Sequence, residues 1–275
     1  MQDQSLFQFN EQELYQKNFI LKSKAKSLAC GRRVYFCNDG KNSFWLKAQL
    51  NGTHEFFQNG FIHEIEAYRS LNLNNLQNVS LPYRLIDFEK NTSVSQFGSQ
   101  ILLIAHAEAL FLHSPDELSK DQIIHKMLQA LNVLEKLHES HWIHGDLKHE
   151  HFVEFAKTAR LIDFEQARRL THIENNYLSA TPRYMAPELF NGDRKSRASD
   201  IYALGIIFYE WLSQKRLSAE NYHDWAVLHC QSTDFELPKQ YSVFQSAINS
   251  MLNKAKDKRM CDFSALKLGL VAEIV

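Results

Sequence analysis

Little in this 275-residue chain is extreme, and each thing it lacks closes off a class of protein. Its four cysteines, Cys30, Cys37, Cys230 and Cys261, never fall in C-x-x-C spacing, and they read as reduced cytosolic thiols. Neither sign of charge is in excess: the formal net charge is −1 and the isoelectric point about 6.9. A chain so balanced has no global field to pull it onto nucleic acid or an anionic membrane, so neither is an expected partner. The opening Met1-Gln2-Asp3-Gln4-Ser5 is polar, without the basic and then apolar pattern of a signal peptide, and a cytoplasmic location is expected. The longest apolar run, Ile201 to Leu212, is interrupted by Glu210; it is too short for a membrane span and predicts a buried helix. Internal repeats, low-complexity blocks and long Pro/Gly/Ser linkers are also missing. What remains is enough apolar sequence for the core of one two-lobed unit or two small domains.

Residues 1–24 carry a weak helical pattern around Leu14 and Phe19 and are expected to form an extension. From Ser27 to Gln49 the pattern is strand-like, with Val34-Tyr35-Phe36 and Phe44-Trp45-Leu46 separated by the hairpin signal Asn38-Asp39-Gly40. Asn59-Gly60 precedes a helical stretch that sets Phe61, Ile65, Tyr68 and Leu71 on one face. Leu81–Glu89 and Gln100–Ala105 predict two more strands around a polar turn. After Pro115 the chain is mainly helical, and a stripe from Ile123 through Leu131 to Leu137 delivers His144 and Asp146 at its end. Strands first and helices later is an α+β layout.

The stretch from Trp142 to Phe152, Trp-Ile-His-Gly-Asp-Leu-Lys-His-Glu-His-Phe, is the most informative. Asp163, in Leu161-Ile162-Asp163-Phe164, follows twelve residues after His151. That distance predicts a loop bearing one carboxylate, a short hairpin, and a second carboxylate returning beside the first. Phosphoryl transfer uses such a pair, one to orient and deprotonate a hydroxyl and one to hold a metal on nucleotide phosphates. The stretch resembles the catalytic loop H-R-D-L-K-x-x-N and the D-F-G of protein kinases, with Gly145 in place of Arg, His151 of Asn and Glu165 of Gly. Three further segments carry the resemblance: Thr181 to Glu188 is similar to the G-T-P-x-Y-M-A-P-E that closes an activation segment. Asp200 to Gly205 resembles D-x-W-S-x-G, and Lys258-Arg259-Met260 the late arginine that pairs with the Ala-Pro-Glu glutamate. Together they run from about Leu28 to Arg259. The resemblance implies a two-lobed protein-kinase-like fold, with a small β-rich N-lobe over 25–107 and a larger helical C-lobe over 108–275.

Roles for particular residues follow from the same resemblance. Asp146 is the candidate catalytic base and Lys148 the lysine that steadies the transferred phosphoryl. Asp163 is the candidate metal ligand, in an oxygen-rich site that suits Mg²⁺. Lys47, at the end of the third strand, is the lysine for the ATP phosphates, held by Glu64; Glu66 points to another part of the helix. The glycine-rich loop belongs around Ser27 to Tyr35, where Gly31 stands alone, and Arg32 or Arg33 could contact phosphate instead. His151 falls at the second metal position, where a softer donor moves preference toward Mn²⁺. Glu188 with Arg259, and Asp200 beneath the catalytic loop, have architectural roles. His138, His141, His144, His149 and His151 also invite a zinc-cluster reading, but no ligand set falls on one face.

Three functions stay open. The first is an ATP-dependent Ser/Thr protein kinase, favoured by Lys148, Thr181 and the intact Ala186-Pro187-Glu188. The second is a sugar or small-molecule kinase of the lipopolysaccharide type acting on a glycolipid hydroxyl, favoured by His151 and Glu165. The third is a pseudokinase scaffold, favoured by the missing glycines. Because Gly145 has no side chain for an activation-segment phosphate, activity is expected not to depend on phosphorylation of Thr171, Tyr177 or Ser179.

Overall fold

The computed structural model describes residues 18–38, 40–73, 76, 78–87, 97–98, 100–170, 180–231 and 235–271. Most of the 1–24 extension, Asp39 of the hairpin signal, most of the polar turn after Asp87, and Thr171, Tyr177 and Ser179 lie outside the described residues. The chain divides into two compact units, Met1–Ala107 with Asp163–Glu165, and Glu108–Ile162 with Gln166–Val275.

The first unit is built on an antiparallel sheet of β1 (Ile20–Leu21), β2 (Arg32–Asn38), β3 (Ser43–Gln49), β4 (Tyr83–Asp87) and β5 (Gln100–Ala105), in the order β1-β2-β3-β5-β4. Alternation along β3 buries Phe44, Leu46 and Ala48 on one face and directs Trp45, Lys47 and Gln49 to the other. The β2–β3 register pairs Arg32 with Gln49 and Val34 with Lys47, so Arg32 and Lys47 share that second face. Helix α2 (Glu55–Leu73) buries Phe61, Glu64, Ile65, Ala67, Tyr68 and Leu71, a stripe at helical spacing that contains one carboxylate.

Two local expectations change here. Ser27–Ala29 is helical, within α1 (Ala25–Ala29), because Ala-Lys-Ser-Leu-Ala is rich in good helix formers and strand pairing to β3 begins only at Arg32. Asn59-Gly60 lies inside α2 instead of preceding it, so this dipeptide is not a turn.

The second unit is mostly helical. Ser119 and Gln122 form a reciprocal capping box that starts α3 (Lys120–Glu139). After α3 come short strands: β7 (Trp142–Ile143) pairs with β10 (Arg168–Arg169), and β8 (Phe152–Phe155) with β9 (Thr158–Leu161) as a hairpin. The outer edge of that hairpin takes β6 (Glu108–Ala109). The hairpin is the one expected between the two aspartates. Helices α4 (Pro187–Phe190), α5 (Arg197–Ser213), α6 (Tyr222–Gln231), α7 (Gln245–Met251) and α8 (Phe263–Val271) complete the unit. The apolar run from Ile201 to Leu212 is the centre of α5, in which only Arg197 and Glu210 escape full burial. Among the described residues no helix is long and apolar enough to cross a membrane.

One ion pair ties the second unit together. Both guanidinium ends of Arg259 reach Glu188, at 2.7 and 2.8 Å, while Arg259 also donates to the carbonyls of Ala198 and Asn253, each at 2.9 Å. Arg259 and Glu188 are only 4% and 6% exposed, so removal of one partner strands a buried charge. Glu188→Ala is expected to lower stability by about 3–5 kcal/mol. Replacing both, as Glu188→Leu with Arg259→Met, is expected to cost less than Glu188→Ala alone. Urea denaturation measures both; a small loss for Glu188→Ala, or a double loss equal to the sum of the singles, contradicts this.

Candidate functional site

Each unit carries its own set of converging charges. In the first, the Lys47 ammonium lies 2.8 Å from a Glu64 oxygen and 2.8 Å from Asp163. Parity selects these partners: Lys47 projects from the face that α2 covers, and Glu64 is wholly buried in the α2 stripe while Glu66 is exposed. Burial pushes the Lys47 amine down, but the carboxylates of Asp163 and Glu64 outweigh it and hold the amine above the ordinary lysine range. Burial pushes Glu64 up, and the Lys47 charge opposes that rise. Phe164 is fully buried edge-to-face on Tyr68, with ring centroids 5.1 Å apart, which fixes the backbone between Asp163 and Glu165.

Arg32 enters the same cluster, a role that strand propensity does not signal. Its guanidinium reaches Glu64 at 3.2 Å and Glu165 at 3.3 Å, and its Nε donates to Gln49 at 2.9 Å. Gly31 turns between α1 and β2, its carbonyl accepting from Leu50 at 3.0 Å. A Cβ there would meet the Thr53 methyl at 2.2 Å. Carboxylate oxygens of Glu64, Asp163 and Glu165 lie within 4.8 Å of one another. This hard, oxygen-only donor set fits a cation such as Mg²⁺ or Mn²⁺. Asp163 is the natural ligand of the three, because Lys47 and Arg32 span Glu64 and Arg32 also holds Glu165.

In the second unit the loop after β7 is organised by Asp200. Its carboxylate accepts from the backbone amides of His144 at 2.8 Å and Gly145 at 2.9 Å, and from His138 Nε2 at 3.0 Å. Burial pushes Asp200 up, but the His138 hydrogen bond and charge, with the loop amides, hold it below the usual carboxylate range. Asp146 then stands half-buried, with Lys148 at 2.9 Å and the Thr181 amide donating to it at 2.8 Å. His151 is buried one turn beyond Lys148, whose carbonyl accepts from its amide at 3.0 Å. Its ring lies 5.4 Å from that of His144. Burial, then the His151 charge, lower His144 to about 4, so its imidazole is neutral and Nε2–H donates to the Ile162 carbonyl at 3.1 Å.

Lys195 is a residue the sequence reading passed over. Its ammonium donates to Gln166 at 3.1 Å, and its stem fills the space above Gly145. Burial lowers it to about 8, against the pull of Asp146. Gly145 itself has φ +75°, and a Cβ there would meet the Gln166 carbonyl at 2.6 Å.

The sequence model of the protein kinase domain family matches residues 42–268. The chain belongs to that family. It is 31% identical over 165 residues to the rice (Oryza sativa subsp. japonica) serine/threonine-protein kinase Nek3, which covers 58% of this chain and 28% of that protein. With mouse serine/threonine-protein kinase Nek4 it shares 30% over 149 residues, 52% of this chain and 19% of the relative. The chain thus spans well under half the length of these curated relatives. Among solved structures, the Cydia pomonella granulovirus kinase PK-1 superposes with a TM-score of 0.65 at 18% identity, over 93% of this chain and 94% of that one, a likeness of fold.

The left-handed backbone and the contact with the Gln166 carbonyl mean that the arginine common in related loops does not fit at Gly145. Gly145→Arg is expected to destabilise the protein by at least about 1 kcal/mol. An unchanged denaturation midpoint would show that the loop has room for it.

Proposed function

We propose that this chain is an ATP-dependent serine/threonine protein kinase that works in the cytoplasm, with a divalent cation, on a protein hydroxyl. The observation that carries the reading is the Lys47 ammonium held between Glu64 and Asp163. A largely buried lysine kept charged by two carboxylates is costly to maintain in a scaffold and is what a polyphosphate needs. Asp146 acts as the base, orienting the acceptor hydroxyl and taking its proton, while Lys148 offsets the charge shared by donor and acceptor oxygens. Lys47 engages the nucleotide phosphates, with Glu64 as its anchor. Asp163 and His151 are the proposed metal ligands, and Gly31 with its neighbours the proposed approach to the phosphates. When bound, the cation neutralises charge on the phosphate oxygens.

The test is transfer of labelled γ-phosphate from ATP with a protein mixture, purified glycolipid cores and water as competing acceptors. Protein is expected to be labelled first, and Asp146→Asn to reduce transfer by roughly 10²–10⁴-fold with the fold intact. Because His151 is the softer donor, Mn²⁺ is expected to support transfer at least as well as Mg²⁺. Preferential labelling of glycolipid would favour a sugar kinase. Equal transfer by wild type and Asp146→Asn would overturn Asp146 as the base, and no transfer by either would leave only the scaffold.

A further inference from the structure

The segment Asp163-Phe164-Glu165 is anchored in the first unit at each of its three residues. Asp163 is held by Lys47 at 2.8 Å, Phe164 by the Tyr68 ring, and Glu165 by Arg32 at 3.3 Å. The third anchor stands where the D-F-G pattern of protein kinases has glycine. Arg32 is built for it: only 7% exposed, it lies over the Phe61 ring at 4.7 Å and directs separate nitrogens to Gln49, Glu64 and Glu165. A rigid guanidinium fork can address three partners at once, which an ammonium cannot do.

Charge counting gives the pair a distinct purpose. Lys47, Glu64 and Asp163 sum to −1, and adding Arg32 with Glu165 leaves that sum at −1. The pair therefore alters geometry without altering net charge. Gly60 is the second mark of it. A glycine inside a helix costs about 1 kcal/mol relative to alanine. Here the glycine makes room, because a Cβ at position 60 would lie 2.6 Å from a Glu165 carboxylate oxygen. Asp163 also holds φ +66°, a backbone state that a non-glycine residue keeps only when its surroundings impose it.

We propose that Arg32 and Glu165 form a positioning pair, seated against Gly60, that fixes the orientation of Asp163 beside Lys47 for metal-nucleotide binding. Neither residue is catalytic; both act through Asp163 and Glu64. The inference rests on the reading of Lys47 and Asp163 as the nucleotide half-site, and its test separates the two.

The experiment is calorimetric titration of the full chain with Mg²⁺·ATP, well below each variant's unfolding temperature, so that a role in stability alone leaves affinity unmoved. Glu165→Gln removes the charge. Gly60→Ala breaks the pair sterically while leaving both charges in place, since the flexible Glu165 carboxylate must swing away. Each is expected to weaken binding five- to tenfold, and Gly60→Ala is expected to add nothing in the Glu165→Gln background. Lys47→Met is the control for the underlying reading. If Lys47→Met binds like wild type, or wild type does not bind, the nucleotide half-site is wrong and the pair falls with it. If Lys47→Met weakens binding while Glu165→Gln and Gly60→Ala match wild type, the half-site stands and the positioning pair is overturned. Additive losses in the double variant also overturn it, because Gly60 would then act without Glu165.

Discussion

The first unit depends on a single buried carboxylate. Glu64 has no exposed surface, and an isolated ionised group at such a depth costs several kcal/mol. Two cations offset that cost, Lys47 at 2.7 Å and Arg32 at 3.2 Å. Each of these reaches on to a further acid, Asp163 and Glu165 respectively. One buried charge on α2 therefore fixes two strand residues, and through them the segment that carries the proposed metal ligand. The sheet contributes the geometry, since the β2–β3 register sets Arg32 and Lys47 on one face.

In the second unit the corresponding constraint is Asp200 at the start of α5. A buried aspartate that accepts two loop amides and a histidine holds the turn at His144 and Gly145 more firmly than side-chain packing alone. Asp146 inherits its position from that turn and is steadied by Lys148 and the Thr181 amide. The Glu188–Arg259 pair does the same for the segment after Thr181. Both buried acids meet donors from sequence-distant elements, so each works as a clasp and not as local decoration.

Much of this was legible in the sequence where periodicity and charge coincide. Glu64 could be preferred over Glu66 because a helix face is a matter of spacing, and the hairpin between Asp146 and Asp163 follows from the distance between them. The buried α5 follows from its apolar run. Other features were hidden for physical reasons. Arg32 looks like any strand-end arginine, and its burial depends on an acid 133 residues away, which no local pattern encodes. Gly60 resembled a turn signal because glycine marks both turns and close approaches. The helix α1 replaced an expected strand because five helix-forming residues sit in a stretch with no strand partner. Lys195 sits near Gly145 only through tertiary packing.

The central claim is that the Lys47–Glu64–Asp163 cluster is the metal and phosphate half-site. The most direct measurement is a crystal structure of the wild-type protein with a non-hydrolysable ATP analogue and Mn²⁺, the metal located by its anomalous signal. The account expects the anomalous peak at ligand distance from Asp163, with Lys47 still on Glu64 and reaching the nucleotide phosphates. Nucleotide bound away from Lys47, or a metal peak with no oxygen from Asp163, would contradict it.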